Sequence, residues 1–216
     1  MQGSAALSAA LAMSVTSRFE GHAQSADQTL HLVCEEPDLF DTGTVGGGIG
    51  IQWSNHLFEG LTRYDWENQQ VVPAAAASWD ISTDNLSYTF HLNEGMVWSD
   101  GSPLTAHDFE YTLKRNLDPT LAAPLASFLY PIVGAEDFFL GTSTDPSTIG
   151  VTATDDLTLE MKLNAVTPYW LVILSLWITM PIAKQSIDAG GAAWTEPATI
   201  LSNGRYTMES WDHDQS

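Results

Sequence analysis

Residues 86–109 read LSYTFHLNEGMVWSDGSPLTAHDF, and this stretch decides the fold class. From Leu86 to Leu92 apolar residues alternate with polar ones, which is the period-two pattern of a strand with one buried face. Gly95 lies in a turn, and residues 96–98 are then predicted as a short second strand. The first half of the stretch therefore predicts two strands joined by a turn.

The second half of the stretch predicts a turn followed by a helix. Residues 99–103 read SDGSP, a cluster of turn-forming residues. Thr105 suits the N-cap of a helix, and Asp108 stands three residues later, where it completes a capping box. Strands that are followed by a helix in this way indicate a mixed α/β fold.

Apolar spacing elsewhere predicts further helices and strands. Residues 30–34 are predicted as a first strand, and 71–79 as a short apolar segment that turns through alanines to Trp79. A four-residue period predicts two helices with one apolar face, and a two-residue period predicts another strand. The apolar positions are Ile49, Trp53, Leu57 and Leu61 in the first helix, Phe109, Leu113 and Leu117 in the second helix, and Leu157, Leu159, Met161 and Leu163 in the strand.

Charge and cysteine content exclude several classes of protein. The chain has 7 basic and 27 acidic residues in 216, a net charge of −20, which disfavours nucleic-acid binding because phosphates would be repelled. Cys34 is the only cysteine, so no internal disulfide forms. The apolar run 171–182 is too short for a membrane span, which needs roughly 20 residues.

The first 27 residues are predicted to be an export signal. An apolar run covers 5–15, and small residues near 22–26 suit a cleavage site. Because Arg18 and Glu20 follow the run and no basic residue precedes it, we expect a signal peptide whose start is missing or misassigned.

The glycine run Gly46-Gly47-Gly48 opens the first predicted helix. Glycines let a ligand approach the backbone closely, but a flexible loop before a capped helix explains them as well. The spacing does not fit a nucleotide-binding loop. No GxSxG motif is present, and the 6 histidines lack metal-ligand spacing, so no catalytic residue, metal or cofactor is predicted.

The WSDGxP…TAHDF string resembles the signature of the extracellular solute-binding proteins of family 5, which serve ABC importers. Four further segments agree in order and spacing: LFEGL at 57–61, PAAAASW at 73–79, DPTLAAPLASF at 118–128 and SNGRY at 202–206. The resemblance implies an N-terminal fragment of a two-lobed, periplasmic-binding-protein type II-like α/β fold. Residues 28–58 and 184–216 would be parts of a large lobe, and residues 59–183 would form a small α/β subdomain.

The resemblance also implies a function. The whole protein would be exported to the periplasm or cell exterior, act as a monomer, bind peptides in a closing cleft and deliver them to an ABC permease. When the family's ligand contacts are transferred to the matching positions of this sequence, they fall on Gly46, Gly48 and Leu125. Oligopeptide binders carry glutamate at the first of these and often tyrosine at the last, so both side-chain contacts differ here. Leu125 is equally compatible with a plain core position.

Two other functions stay open at this point. One is an extracellular hydrolase or carbohydrate-processing domain with paired carboxylates, for which residues 35–36, Asp84, Asp100 and Asp108 are the acids available. The other is an importer component for metal chelates or sugars, because the same fold serves those ligands too.

Overall fold

The computed structural model describes residues 36–37 and 40–213, all within one unit of the chain. The predicted signal at 1–27 and the predicted strand at 30–34 lie outside the described residues. The helices and strands follow in the order α1 Gly48–Leu57, β1 Thr62–Asp65, β2 Gln70–Pro73, β3 Ala76–Ile81, β4 Ser87–Leu92, α2 Ala106–Asn116, α3 Ala135–Phe139, β5 Val151–Asp155, β6 Thr158–Lys162, α4 Trp170–Ile173 and α5 Lys184–Gly190. Short 3₁₀ helices cover Ala126–Leu129, Pro146–Thr148, Trp177–Thr179 and Gly191–Ala193.

The central sheet is antiparallel and has the strand order β3-β4-β6-β5. In the middle pair Phe90 lies opposite Leu159, and Tyr88 lies opposite Met161. All four side chains are buried, which confirms the alternating pattern predicted for both strands. Strands β1 and β2 form a separate hairpin.

Helix α2 covers one face of the sheet and contacts β5 and β6. Phe109, Leu113 and Leu117 have no exposed surface, as their spacing predicted. The predicted capping box is present: the Asp108 carboxylate accepts from the Thr105 backbone N–H at 2.8 Å. This helix therefore begins where the local sequence places it.

Two local predictions were wrong. Residues 96–98 form no strand but a single bridge between Val97 and Pro103, because the turn closes at once through Trp98 N–H to the Ser102 carbonyl at 2.8 Å. The alanine-rich segment is not simply a turn, since its second half forms strand β3. Ala76 has no exposed surface there, and a bulge follows it in the pairing with β4.

Helix α1 ends four residues before the apolar spacing predicted. The Leu57 carbonyl accepts from Gly204 N–H at 2.8 Å, and the Asn203 side-chain amide bonds both the N–H and the carbonyl of Glu59. The backbone after Leu57 is thus engaged by the SNGRY segment and leaves the helical path. Leu61 is still fully buried, outside the helix.

The apolar run 171–182 divides between α4 and the 3₁₀ helix Trp177–Thr179. Across residues 36–37 and 40–213, the helices are all too short or too polar to span a bilayer.

Candidate functional site

The segment that leads into the glycine run is fixed by a buried ion pair. Arg115, near the end of α2, donates from both terminal nitrogens to Asp41, at 2.9 Å to Oδ1 and 2.6 Å to Oδ2. The Asp41 side chain is 7% exposed and that of Arg115 15%. The Asp41 backbone carbonyl also accepts from the N–H groups of Thr44 and Val45. One aspartate therefore shapes the loop and ties it to α2.

Two further contacts hold the same segment. Trp177 Nε1 donates to the Val45 carbonyl at 3.2 Å. Gly43 packs so closely on the Asn116 side-chain amide that a Cβ has no room there. That amide in turn donates to the Ile178 carbonyl at 2.8 Å. The glycine run is thus presented from a rigid base.

Gly46 and Gly48 themselves are exposed. Gly48 is the first residue of α1, and a Cβ added there would meet nothing within 4 Å. A Cβ on Gly46 would lie 3.9 Å from Pro124 Cγ. The structure therefore brings the glycine run beside the segment that contains Leu125, although 77 residues separate Gly48 from Leu125 in sequence.

Leu125 is half-buried and precedes the 3₁₀ helix Ala126–Leu129. Ala123 and Ala126 on either side are buried, and Ala122 has a positive φ of 51° that bends the chain before them. Leu125 is thus neither a fully buried core residue nor a free surface residue. Its contact with a ligand stays a prediction, as do those of Gly46 and Gly48.

The acids considered for catalysis serve local structure instead. Hydrogen bonds from Ser82 and Ser102 lower the pKa of Asp84 and Asp100, which lie in turns. Burial raises the pKa of Asp108, whose carboxylate caps α2. Glu36 accepts a hydrogen bond from His213. Within the described part of the chain, no group of three or more histidine, cysteine or acidic side chains could hold a metal ion.

A second concave surface has no signal in the sequence. Its volume is about 670 Å³, and we call it the α1 groove. Its walls come from α1, β1, residues 175–180 and residues 204–206, which are distant in sequence and meet only in the folded chain. Polar and aromatic side chains that line it include Gln52, His56, Arg63, Trp66, Arg205 and Tyr206.

Comparison with known proteins identifies the family. Residues 70–216 match the family described as bacterial extracellular solute-binding proteins, family 5 Middle. The chain belongs to this family. The match covers both the sheet with α2 and the SNGRY segment that borders the α1 groove, and the predicted family is thereby confirmed.

Relatives within this family agree in sequence and in structure. The periplasmic oligopeptide-binding protein of Escherichia coli K12 is 40% identical over 73% of this chain, and the dipeptide-binding protein of Bacillus subtilis 168 is 36% identical over 89%. The solved structure of the Escherichia coli murein tripeptide binding protein superimposes with a TM-score of 0.78 at 33% identity over 83% of this chain. The predicted fold is confirmed by this likeness.

The chain spans about a third of the length of these family members: 29% and 35% of the two sequences and 35% of the solved structure. The family consists of binding proteins rather than enzymes. The proposed boundaries at 58/59 and 183/184 between large-lobe and small-subdomain segments stay predictions.

Proposed function

We propose that this chain is part of the solute-binding component of an ABC importer and that the whole protein binds peptides. The observation that carries the proposal is the family membership together with relatives that are named oligopeptide- and dipeptide-binding proteins. The whole protein is exported to the periplasm or cell exterior and acts there as a monomer.

The exposed glycines suit contact with a peptide backbone. Because Gly46 and Gly48 have no side chain, an extended peptide approaches their main-chain groups closely. The first N–H groups of α1 have no partner within the helix and are available as donors. The Asp41–Arg115 pair keeps this surface in place before the ligand arrives, so little ordering accompanies binding.

Leu125 provides an apolar contact at the edge of the same surface. A leucine side chain packs on a ligand but donates no hydrogen bond. We therefore infer that this chain favours a peptide with an apolar side chain at that position over one with a polar side chain.

The mechanism is closure around the ligand rather than turnover. Segments 28–58 and 184–216 belong to the large lobe, and 59–183 to the small subdomain, which stays attached to it. A second lobe closes over the peptide, and the closed form docks on the permease. Asp84, Asp100 and Asp108 each serve a turn or a helix cap, which speaks against the hydrolase alternative.

Calorimetry on the full-length protein tests the proposal, with a peptide library, sugars and nickel chelates as ligands. We expect binding of peptides without hydrolysis, checked by mass spectrometry of the recovered ligand. Gly48→Val should weaken peptide binding by about tenfold or more, which corresponds to roughly 1.4 kcal/mol. A Cβ at this position meets nothing within 4 Å, so the melting temperature should change little.

Gly47→Val is the matched control because it lies in the same run and also has open space around its Cβ position. It should leave peptide affinity unchanged. Equal affinity of the parent and Gly48→Val would refute the assigned contact. Binding of sugars or chelates but no peptide, or release of cleaved peptide, would refute the proposed function.

A further inference from the structure

The α1 groove differs from the rest of this acidic chain in charge. Residues 40–213 contain six lysines and arginines, and three of them form ion pairs: Lys114 with Glu110, Arg115 with Asp41 and Lys184 with Asp188. Of the three cations that make no ion pair with a described carboxylate, Arg63 and Arg205 both line the groove. The third, Lys162, lies on strand β6.

Two carboxylates lie near Arg63, one in the groove lining and one on β1. Glu59 is the one acidic residue in the groove lining. Asp65, two residues after Arg63, accepts from the N–H groups of Glu67 and Asn68 and from the Asn68 side chain at 2.8 Å. The lining itself, with two arginines and one glutamate, carries a net positive charge in a chain whose total is −20.

Aromatic rings form the other walls of the groove. Trp66 is 83% exposed and packs edge-on against Tyr64, with ring centroids 4.7 Å apart. Tyr206 is 56% exposed, and its ring meets His56 in the same geometry at 5.6 Å. Large aromatic surface left in contact with water beside a concave site is typical of ligand binding.

The groove is built on fixed backbone. Gly204 N–H donates to the Leu57 carbonyl at 2.8 Å, and Tyr206 N–H to the His56 carbonyl at 3.2 Å. Thr62 on β1 donates through its hydroxyl to the Leu171 carbonyl at 2.8 Å. Its volume of about 670 Å³ falls within the usual range for small-molecule sites, roughly 300–1,000 Å³.

We propose that the α1 groove is a binding site for an aromatic carboxylate, separate from the surface of Gly46, Gly48 and Leu125. Arg63 and Arg205 bind the carboxylate, because guanidinium groups make charge-assisted, two-point hydrogen bonds with it. Trp66 and Tyr206 pack against the ring. The carboxylate is either that of a free aryl acid or the C-terminus of a peptide ending in an aromatic residue.

Calorimetry on the full-length protein tests this site with two probes, indole-3-acetate and the tripeptide Gly-Gly-Trp. Indole-3-acetamide serves as the uncharged match for the first probe. We expect binding of at least one acid at millimolar concentration or below, and no binding of the amide. The acid whose binding is weakened by the arginine variants identifies the source of the carboxylate.

Arg63→Gln and Arg205→Gln should each weaken that binding by about tenfold. Trp66→Ala should weaken it as well, and its ring is too exposed for the change to unfold the protein. Lys162→Gln is the matched control, since it removes the third unpaired cation away from the groove. Gly48→Val should leave binding of indole-3-acetate unchanged, which separates this site from the proposed peptide site.

Absence of binding by both acids would overturn the proposal. Binding that persists in the two arginine variants, or that Lys162→Gln weakens equally, would overturn it too. Loss of peptide binding in Gly48→Val with binding of indole-3-acetate retained would support it, whatever the outcome for the importer function.

Discussion

Asp41 and Arg115 form a two-point ion pair across 74 residues of sequence, with nitrogen–oxygen distances of 2.9 and 2.6 Å. The pair connects the segment before α1 to α2, which itself packs on the sheet. The Arg115 guanidinium also lies 5.8 Å from the centroid of the Trp194 ring. One arginine therefore joins the loop that carries the predicted ligand contacts to the main sheet-and-helix unit and to the C-terminal third of the chain.

Removing one member of this pair should destabilise the protein strongly. Asp41→Asn keeps the shape but leaves the Arg115 charge buried without a counter-charge, which typically costs about 3 kcal/mol. Urea unfolding monitored by tryptophan fluorescence measures the change. Lys184→Gln, which breaks the exposed pair with Asp188, should have no measurable effect. A cost of Asp41→Asn no larger than that of Lys184→Gln would contradict the assigned role.

Two glycines of the same segment should respond oppositely to alanine. Gly43→Ala places a methyl group against the Asn116 side-chain amide and should cost about 2 kcal/mol, as overpacking does. Gly48→Ala meets open space at the first helical position and should be neutral or stabilising by up to about 1 kcal/mol. Thermal unfolding of both variants checks the contrast. Similar melting temperatures for the two would show that the segment is not packed as described.

His213 should make stability depend on pH. Its ring bonds the carboxylates of Glu36 at 2.9 Å and Glu196 at 3.4 Å, and these bonds raise its pKa above the usual 6.5. The folded state therefore holds the proton more tightly than the unfolded state. The stabilisation that protonated His213 contributes is complete below pH 6.5, and it is lost as the pH rises through the higher folded-state pKa.

Nuclear magnetic resonance titration of the His213 ring protons measures this pKa directly. Unfolding curves of the parent and His213→Gln should converge once the pH exceeds it. A His213 that titrates at or below 6.5 in the folded protein would be incompatible with the two carboxylate contacts.

Asp108 should act with the same sign as His213 but in a more acidic pH range. Burial raises the pKa of this carboxyl above 3.8, although hydrogen bonds from Thr105 partly oppose the rise. A raised acid pKa means that the folded state binds the proton more tightly, so the free energy of unfolding falls as the pH rises from 3.8 to the folded-state value. Asp108→Asn keeps an acceptor for Thr105 and should abolish this contribution. An unchanged pH slope in Asp108→Asn would contradict it.

Local patterns predicted the elements whose residues contact their own neighbours in sequence. Strand β4, the start of α2 at Thr105 and the buried face with Phe109 were all correct. Each depends on a period or a cap that spans a few residues, so the information lies in the local sequence. The string of motifs from 57 to 206 was specific enough to indicate the family.

Distant contacts explain what local patterns missed. The periodicity predicted that α1 reaches Leu61, but the helix ends at Leu57, where Asn203 and Gly204 bind the backbone. Periodicity describes only which residues are buried. Leu61 is buried in either case, so no pattern separates the two outcomes.

The sequence by itself determined the family, the α/β class and the positions of strands β4 and β6 and of α2, because these follow from side-chain periods, caps and motif order. The tertiary structure alone decided that Asp41 anchors to Arg115, that Gly46 lies beside the Leu125 segment, and that Arg63 and Arg205 share a groove with Trp66 and Tyr206. Each of these brings together residues far apart in the chain. Which distant residues meet depends on how the whole chain packs, and charge or polarity at a single position carries no record of its partner.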